Sequence, residues 1–126
     1  MIRLLGRKSR VLLLDDDPSM QRLVSLLLRK EGLKADVVDS GRKAIEKLEQ
    51  GEYDVILLDI MTPTEGGMTV IKHLKETSPD TLRRVILVTG SPGSILKNVE
   101  NDVFAIVHKP FDAHQLIDTI AKLLAQ

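Results

Sequence analysis

Five short strand-like segments, each followed by a polar residue, alternate along this chain with segments of helical periodicity. Residues 11–14, 54–58, 85–88 and 104–107 are dominated by apolar side chains, and residues 34–38 form a weaker fifth segment. Runs that are apolar on both faces are typical of strands buried within a parallel sheet. Strands alternating with helices therefore predict one α/β domain, because each helix returns the chain to the start of the next parallel strand.

The predicted helices carry recognisable end signals. Asp17 and Pro18 predict the N-cap and first position of a helix whose apolar periodicity continues over residues 19–31, and Gly32 predicts its end. Asp112 with Gln115 predicts a capping box before the last helix. These signals place one helix between the first two strands and another after the last strand, as the α/β interpretation requires.

Composition excludes several classes of function. The chain has no cysteine, which excludes disulfides, thiolate metal sites and cysteine nucleophiles. Aromatic residues make up only 2%, which argues against stacking of single-stranded nucleic acid. No apolar run approaches the roughly 20 residues that span a bilayer, and no signal-peptide pattern opens the chain, so we expect a cytoplasmic protein. A formal net charge of zero gives no bulk attraction for nucleic acid or an anionic membrane.

The charge is distributed unevenly along the chain. Residues 1–10 contain Arg3, Arg7, Lys8 and Arg10 and no acidic residue, although the whole chain has 18 basic and 18 acidic residues. We therefore expect a basic N-terminal arm at residues 1–9 and a single domain at residues 10–126, whose body is acidic.

Chemically versatile side chains follow the predicted strands. Asp15 and Asp16 follow the first strand, Asp59 the third, Thr89 the fourth, and Lys109 comes shortly after the fifth. In open parallel α/β sheets, ligands bind at the carboxyl ends of the strands. Three carboxylates on one rim stay ionised together only if a cation compensates them, and an all-oxygen donor set favours Mg²⁺ or Mn²⁺. A cation, a lysine and a hydroxyl together suit a phosphoryl group.

The ordered set of these residues resembles the receiver domain of two-component response regulators, including the chemotaxis-regulator type. The resemblance covers roughly residues 10–125 and also includes Pro63, Gly67 and the Lys109-Pro110-Phe111 sequence. It implies a flavodoxin-like fold: a doubly wound, five-stranded parallel sheet in the order 2-1-3-4-5, with five helices.

The resemblance implies phosphoryl chemistry at Asp59. A sensor histidine kinase or a histidine phosphotransfer protein would donate the phosphoryl group to this carboxylate. Lys109 and Thr89 would contact the phosphoryl oxygens, Gly90 would leave room for them, and the peptide bond before Pro110 would be cis. The domain would promote its own aspartyl phosphorylation and dephosphorylation without acting as an enzyme on other substrates.

The same resemblance implies a metal site and a signalling role. Asp16, Asp59 and the backbone carbonyl of Met61 would bind Mg²⁺ directly, and Asp15 would act through a water molecule. Phosphorylation would change the conformation and so the binding of an unknown downstream protein. Whether the domain forms a homodimer stays open.

Two departures from the family pattern concern the transmission of the signal. Ile106 stands where receivers usually have an aromatic residue, and the interval from Thr89 to Lys109 is slightly short, which places the shortening in the predicted fourth helix at residues 95–100 or in its loops. A phosphate-independent pseudo-receiver that acts as a protein-interaction module is therefore the alternative function. A phosphohydrolase with an aspartate nucleophile is disfavoured, because Met61 stands where such enzymes need a second aspartate.

Overall fold

The computed structural model describes residues 9–60, 66–90 and 93–126. Five strands form one parallel sheet in the order β2-β1-β3-β4-β5, which confirms the predicted doubly wound topology. The strands are β1 (Arg10–Leu14), β2 (Lys34–Val38), β3 (Val55–Leu58), β4 (Val85–Thr89) and β5 (Ala105–His108). The helices are α1 (Pro18–Lys30), α2 (Gly41–Gln50), α3 (Gly67–Thr77), α4 (Gly93–Leu96) and α5 (Ala113–Leu124), with a 3-10 helix at Pro79–Arg84.

The sheet separates two apolar layers. Alternate side chains of β1, such as Leu12 and Leu14, pack with α2, α3 and α4 on one face. The intervening side chains, Val11 and Leu13, pack with α1 and α5 on the other. Because both faces are covered, β3 is fully buried and β1 is buried from Val11 to Leu14, and this burial explains the lack of polar side chains in these stretches. None of the helices in the described ranges has the length and apolar character needed to cross a membrane.

The predicted end signals of α1 act as expected. The Asp17 carboxylate accepts a hydrogen bond from the Ser19 amide at 2.9 Å, and Pro18 occupies the first turn. Gly32 has a φ of 78°, and the amide of Leu33 donates to the carbonyl of Leu28 at 2.9 Å. This is the C-terminal motif that glycine favours, since a residue with a Cβ is strained at positive φ. These contacts fix where α1 begins and ends.

The segment between β4 and β5 differs from the prediction. The fourth helix was expected over residues 95–100, whereas α4 spans Gly93–Leu96 and is followed by turns at residues 97–102. The Asp102 amide donates to the Val99 carbonyl at 2.9 Å, which closes one of these turns. Asn98, Asn101 and Asp102 compete for backbone hydrogen bonds and so favour turns over continued helix. The 3-10 helix after α3 was not predicted.

A polar network lies at the amino-terminal edge of the sheet. The Tyr53 hydroxyl donates to Asp36 Oδ2 at 2.5 Å, and the Arg10 guanidinium lies 4.6 Å from the centre of the Tyr53 ring. Burial and the neighbouring Asp36 carboxylate raise the pKa of Tyr53 to about 12. The network joins the start of β1 to β2 and to the residues before β3.

We expect Tyr53 to make the stability of the domain sensitive to alkaline pH. The pKa of Tyr53 is raised above the ordinary value of 10.0. The contribution of the neutral Tyr53 side chain to the free energy of unfolding is therefore complete below pH 10 and is lost as pH rises through about 12. The maximum loss is about 2–3 kcal/mol, from two pKa units at roughly 1.4 kcal/mol each. Urea unfolding of wild type and Tyr53→Phe checks this: the difference in unfolding free energy should shrink between pH 9 and pH 12. A difference that stays constant with pH would contradict it.

Candidate functional site

The carboxyl ends of β1 and β3 bring the predicted acidic residues together. The Asp59 amide donates to the Leu14 carbonyl at 3.0 Å, and the Asp15 amide donates to the Val38 carbonyl at 3.1 Å. These bonds continue the ladder one residue beyond the strands. As a result, Asp15 and Asp59 are held side by side by backbone contacts rather than by a variable loop.

Three carboxylates form one cluster at this edge. An oxygen from each of Asp15, Asp16 and Asp59 lies within 4.8 Å of the others. Asp15 is 2% exposed and Asp59 is 8% exposed, whereas Asp16 is partly exposed. Carboxylates this close repel one another unless positive charge is supplied. Their hard oxygen donors fit Mg²⁺, which is commonly bound through one or two carboxylates together with water and phosphate oxygens.

Lys109 supplies positive charge to two of the three carboxylates. Its Nζ lies 2.9 Å from Asp15 Oδ2 and 3.1 Å from Asp59 Oδ2. Burial lowers the pKa of Lys109, but the hydrogen bond to Asp15 and the charge of Asp59 outweigh it, so its pKa lies above the ordinary value. The charged Lys109 therefore links Asp15 and Asp59, which lie 94 and 50 positions before it in the sequence.

The backbone around Lys109 is fixed by its neighbours. The Lys109 amide donates to the Thr89 carbonyl at 2.9 Å, which extends the pairing of β4 with β5. The peptide bond between Lys109 and Pro110 is cis, as the resemblance predicted. Lys109 thus reaches the carboxylate cluster from the end of β5, which lies two positions from β3 in the sheet.

Asp15 makes more direct contacts than the sequence suggested. Its Oδ1 accepts a hydrogen bond from the Asp17 amide at 2.9 Å, while Oδ2 contacts Lys109. Its carbonyl accepts from the Gln21 side-chain amide on α1. Asp15 therefore ties the start of α1 to the cluster, in addition to any contact with a metal through water.

The other predicted residues lie at the same edge or outside the described ranges. Thr89 ends β4 and is completely buried, and Gly90 follows it with a surface-exposed backbone. A Cβ at Gly90 would lie 3.9 Å from the Cβ of Lys109, so Gly90 borders the lysine. Met61, predicted as a carbonyl ligand, and Pro63 lie outside the described residues, as do residues 1–8 of the predicted arm.

Gly67 contributes to the site in a way that sequence reasoning missed. Its amide donates to the Asp59 carbonyl at 2.8 Å, so the first residue of α3 is attached to the backbone of Asp59. A Cβ at this position would lie 2.7 Å from that carbonyl oxygen and 3.2 Å from the Cα of Ile60. The motif spacing pointed to Gly67, but the close approach of α3 to the strand end is visible only in three dimensions.

We expect Gly67→Ala to destabilise the domain by about 1–3 kcal/mol, because the added methyl group overlaps fixed backbone atoms. The gain in helix propensity, about 1 kcal/mol or less, offsets only part of this cost. Urea unfolding checks the prediction. Gly90→Ala is the matched control, since its Cβ meets nothing closer than 3.9 Å and should change stability little. Equal stability of Gly67→Ala and wild type would refute the steric argument.

Comparison with known proteins agrees with this architecture. Residues 11–121 match the response regulator receiver domain family. The sensory transduction protein RegX3 of Mycolicibacterium smegmatis is 37% identical over 116 residues, which cover 90% of this chain and 50% of that protein. The response regulator receiver protein CpdR of Brucella abortus is 29% identical, and the match covers 91% of this chain and 96% of CpdR.

A solved structure shows the same fold. The response regulator protein TrrA of Thermotoga maritima, determined in complex with Mg²⁺-BeF, aligns with a TM-score of 0.81 and 28% identity. The alignment covers 91% of this chain and 98% of TrrA. The chain spans about half the length of several of the curated relatives it matches, including RegX3.

A doubly wound sheet with carboxylates and a lysine at its carboxyl edge defines a flavodoxin-like domain of the receiver class. The family match over residues 11–121 makes the assignment specific: the chain belongs to the response regulator receiver domain family of two-component signalling proteins.

Proposed function

We propose that this domain accepts a phosphoryl group on Asp59 in a Mg²⁺-dependent reaction and signals by a conformational change. The observation that carries the proposal is the contact of Lys109 with both Asp15 and Asp59 beside Asp16. Charged groups clustered at the carboxyl edge of an open parallel sheet are candidates for a functional site, because ligands bind at that edge. The match of residues 11–121 to the receiver domain family also supports the proposal.

The donor in this proposal is a phosphohistidine on a sensor histidine kinase or a histidine phosphotransfer protein. A carboxylate oxygen of Asp59 attacks the phosphorus, the phosphorus–nitrogen bond breaks, and its electron pair returns to the imidazole. An acyl phosphate forms on Asp59. The reaction needs little beyond positioning and neutralisation of negative charge.

The residues around Asp59 divide the remaining tasks. Lys109, already 3.1 Å from Asp59, neutralises charge on the phosphoryl oxygens. The Thr89 hydroxyl contacts one of those oxygens and Gly90 leaves space for them. The half-buried ammonium is effective here because charge interactions are stronger away from bulk water.

The metal in this proposal is Mg²⁺, and Mn²⁺ is the closest substitute. Asp16, Asp59 and the Met61 carbonyl would hold it, with Asp15 assisting through water. When bound, it supplies positive charge to both the carboxylates and the phosphoryl oxygens. Within the described ranges no basic side chain forms an ion pair with Asp16, so its charge is available to a cation.

Incubation with acetyl phosphate tests the proposal without a named kinase. With Mg²⁺ we expect the intact protein to gain the mass of one phosphoryl group, and with excess EDTA we expect no gain. The mass gain should be lost on treatment with hydroxylamine, which cleaves acyl phosphates. No mass gain with Mg²⁺ from acetyl phosphate or from a phosphorylated histidine donor would contradict the proposal and favour a phosphate-independent interaction module.

In this proposal the signalling step acts on a downstream protein. Ile106 on β5 is half-buried and packs against the apolar layer that contains Leu96 of α4. We propose that phosphorylation changes the packing around Thr89 and this short helix. Amide exchange measured with and without beryllofluoride and Mg²⁺ should show altered protection in residues 93–108.

A further inference from the structure

A groove separates α1 from the outer edge of β2, away from the carboxylate cluster. It consists of two adjoining cavities of about 470 and 510 Å³ that share Ser25 and Arg29 in their walls. Leu26 and Val37 line one end, and Leu33 and Ala35 line the other. Leu26 is 49% exposed and Val37 is 39% exposed, although both are large apolar side chains.

The charge of the groove has one sign. Arg22, Arg29 and Lys34 line it, and no acidic residue does so in the part of the chain that the structure describes. The basic residues of positions 1–8 have the same sign, so this segment does not provide complementary charge. Because the groove combines apolar and basic side chains, we expect it to bind a segment that carries both apolar and acidic side chains.

The open edge of β2 indicates that the occupant is an extended backbone. β2 is an edge strand: it pairs with β1, and its other edge has no strand partner among residues 9–60, 66–90 and 93–126. A strand added beside β2 would satisfy backbone groups on that edge.

From these observations we infer that the α1–β2 groove binds an extended acidic segment of a partner protein, which pairs with the outer edge of β2. Side chains on the α1 side of the added strand alternate between carboxylates, which face Arg22 and Arg29, and an apolar residue beside Leu26 and Val37. This interaction does not require phosphorylation of Asp59, which lies two strands away in the sheet.

The peptide TETVTET is a suitable probe, because its glutamates and valine share one face of an extended chain. Titrated into isotopically labelled protein, it should shift amide resonances of β2 and α1 in a saturable manner. The charge-reversed peptide TKTVTKT should cause no saturable shift. Failure of TETVTET to shift β2 resonances at millimolar concentration overturns the inference.

Matched variants locate the binding site. Arg29→Glu should weaken binding of TETVTET about tenfold, since an attraction is replaced by a repulsion. Lys30→Glu makes the same charge change at the adjacent exposed residue, which does not line the groove, and should have little effect. Equal losses in both variants would indicate nonspecific electrostatics and would overturn the inference.

Two backbone-methylated peptides test the pairing. Methylation of one alternating set of amide nitrogens in TETVTET should abolish binding, while methylation of the other set should leave it nearly unchanged, because only one set faces β2. If methylation of either set weakened binding equally, the inferred pairing of the peptide with β2 would be wrong. Concentration-dependent self-association that Leu26→Asp removes would assign the groove to a second copy of the chain instead, and would also overturn the inference.

Discussion

The Asp59→Asn variant should lose phosphorylation by acetyl phosphate, with the rate falling about a thousandfold or more. The asparagine amide has nearly the same shape as the carboxylate but cannot form an acyl phosphate. Its carbonyl oxygen can still accept the hydrogen bond from Lys109 that now spans 3.1 Å. The variant therefore removes the nucleophile with little change to the fold. Intact-protein mass spectrometry over time measures the loss.

Two controls make this result specific. Asp118→Asn changes an exposed aspartate of α5 that pairs with Lys122, and it should be phosphorylated at the wild-type rate. Asp16→Asn keeps the nucleophile but removes one carboxylate of the cluster, so its phosphorylation should be slow and should recover as Mg²⁺ is raised. Wild-type phosphorylation of Asp59→Asn would show that the phosphoryl group is attached elsewhere.

The parallel α/β sheet and the convergence of the acidic residues could be predicted from the sequence, whereas the strand order came from the resemblance to receiver domains. Apolar runs bounded by charges are a strong signal for buried parallel strands, and parallel strands place their carboxyl ends at one edge. Asp15 and Asp59 directly follow such runs, so their proximity required no knowledge of side-chain packing. Helix ends such as Asp17 and Gly32 were predictable for the same reason, because their signals are local.

Features that depend on contacts between distant segments could not be predicted. The approach of α3 to Asp59, which excludes a Cβ at Gly67, depends on how α3 packs on the sheet. The 3-10 helix at Pro79–Arg84 and the bounds of α4 depend on competition between weak local preferences, which tertiary contacts decide. The groove beside β2 consists of residues with no shared motif, and only the fold places Val37 beside α1.

The contact of Lys109 with two carboxylates could be predicted only in part. The sequence placed the lysine at the correct edge, but not between Asp15 and Asp59. Its position depends on the pairing of β4 with β5 and on the backbone bond to Thr89. The geometry implies that Lys109 has two roles, one in the fold and one in the proposed chemistry, and the two can be measured separately.

Replacement of Lys109 by methionine should therefore change both stability and phosphorylation. Without Lys109, the nearly buried Asp15 and Asp59 lose the cation that lies 2.9 and 3.1 Å from them. We expect the unfolding free energy in EDTA at pH 7 to fall by about 2–3 kcal/mol; a fully buried pair would lose more, but partial exposure of the lysine lets water screen the charges. Phosphorylation should slow about a hundredfold, since a preorganised positive charge is lost.

A second substitution separates the two roles of Lys109. In Lys109→Met with Asp15→Asn, the more deeply buried of the two carboxylates is neutral, and its side-chain oxygen can still accept the hydrogen bond from the Asp17 amide. Most of the lost stability should return, because the remaining carboxylates repel less, whereas phosphorylation should stay slow, because no side chain replaces the ammonium beside Asp59. Urea unfolding and mass spectrometry on the same samples distinguish the effects. If phosphorylation recovered together with stability, Lys109 would act only through the fold, and its proposed contact with the phosphoryl group would be wrong.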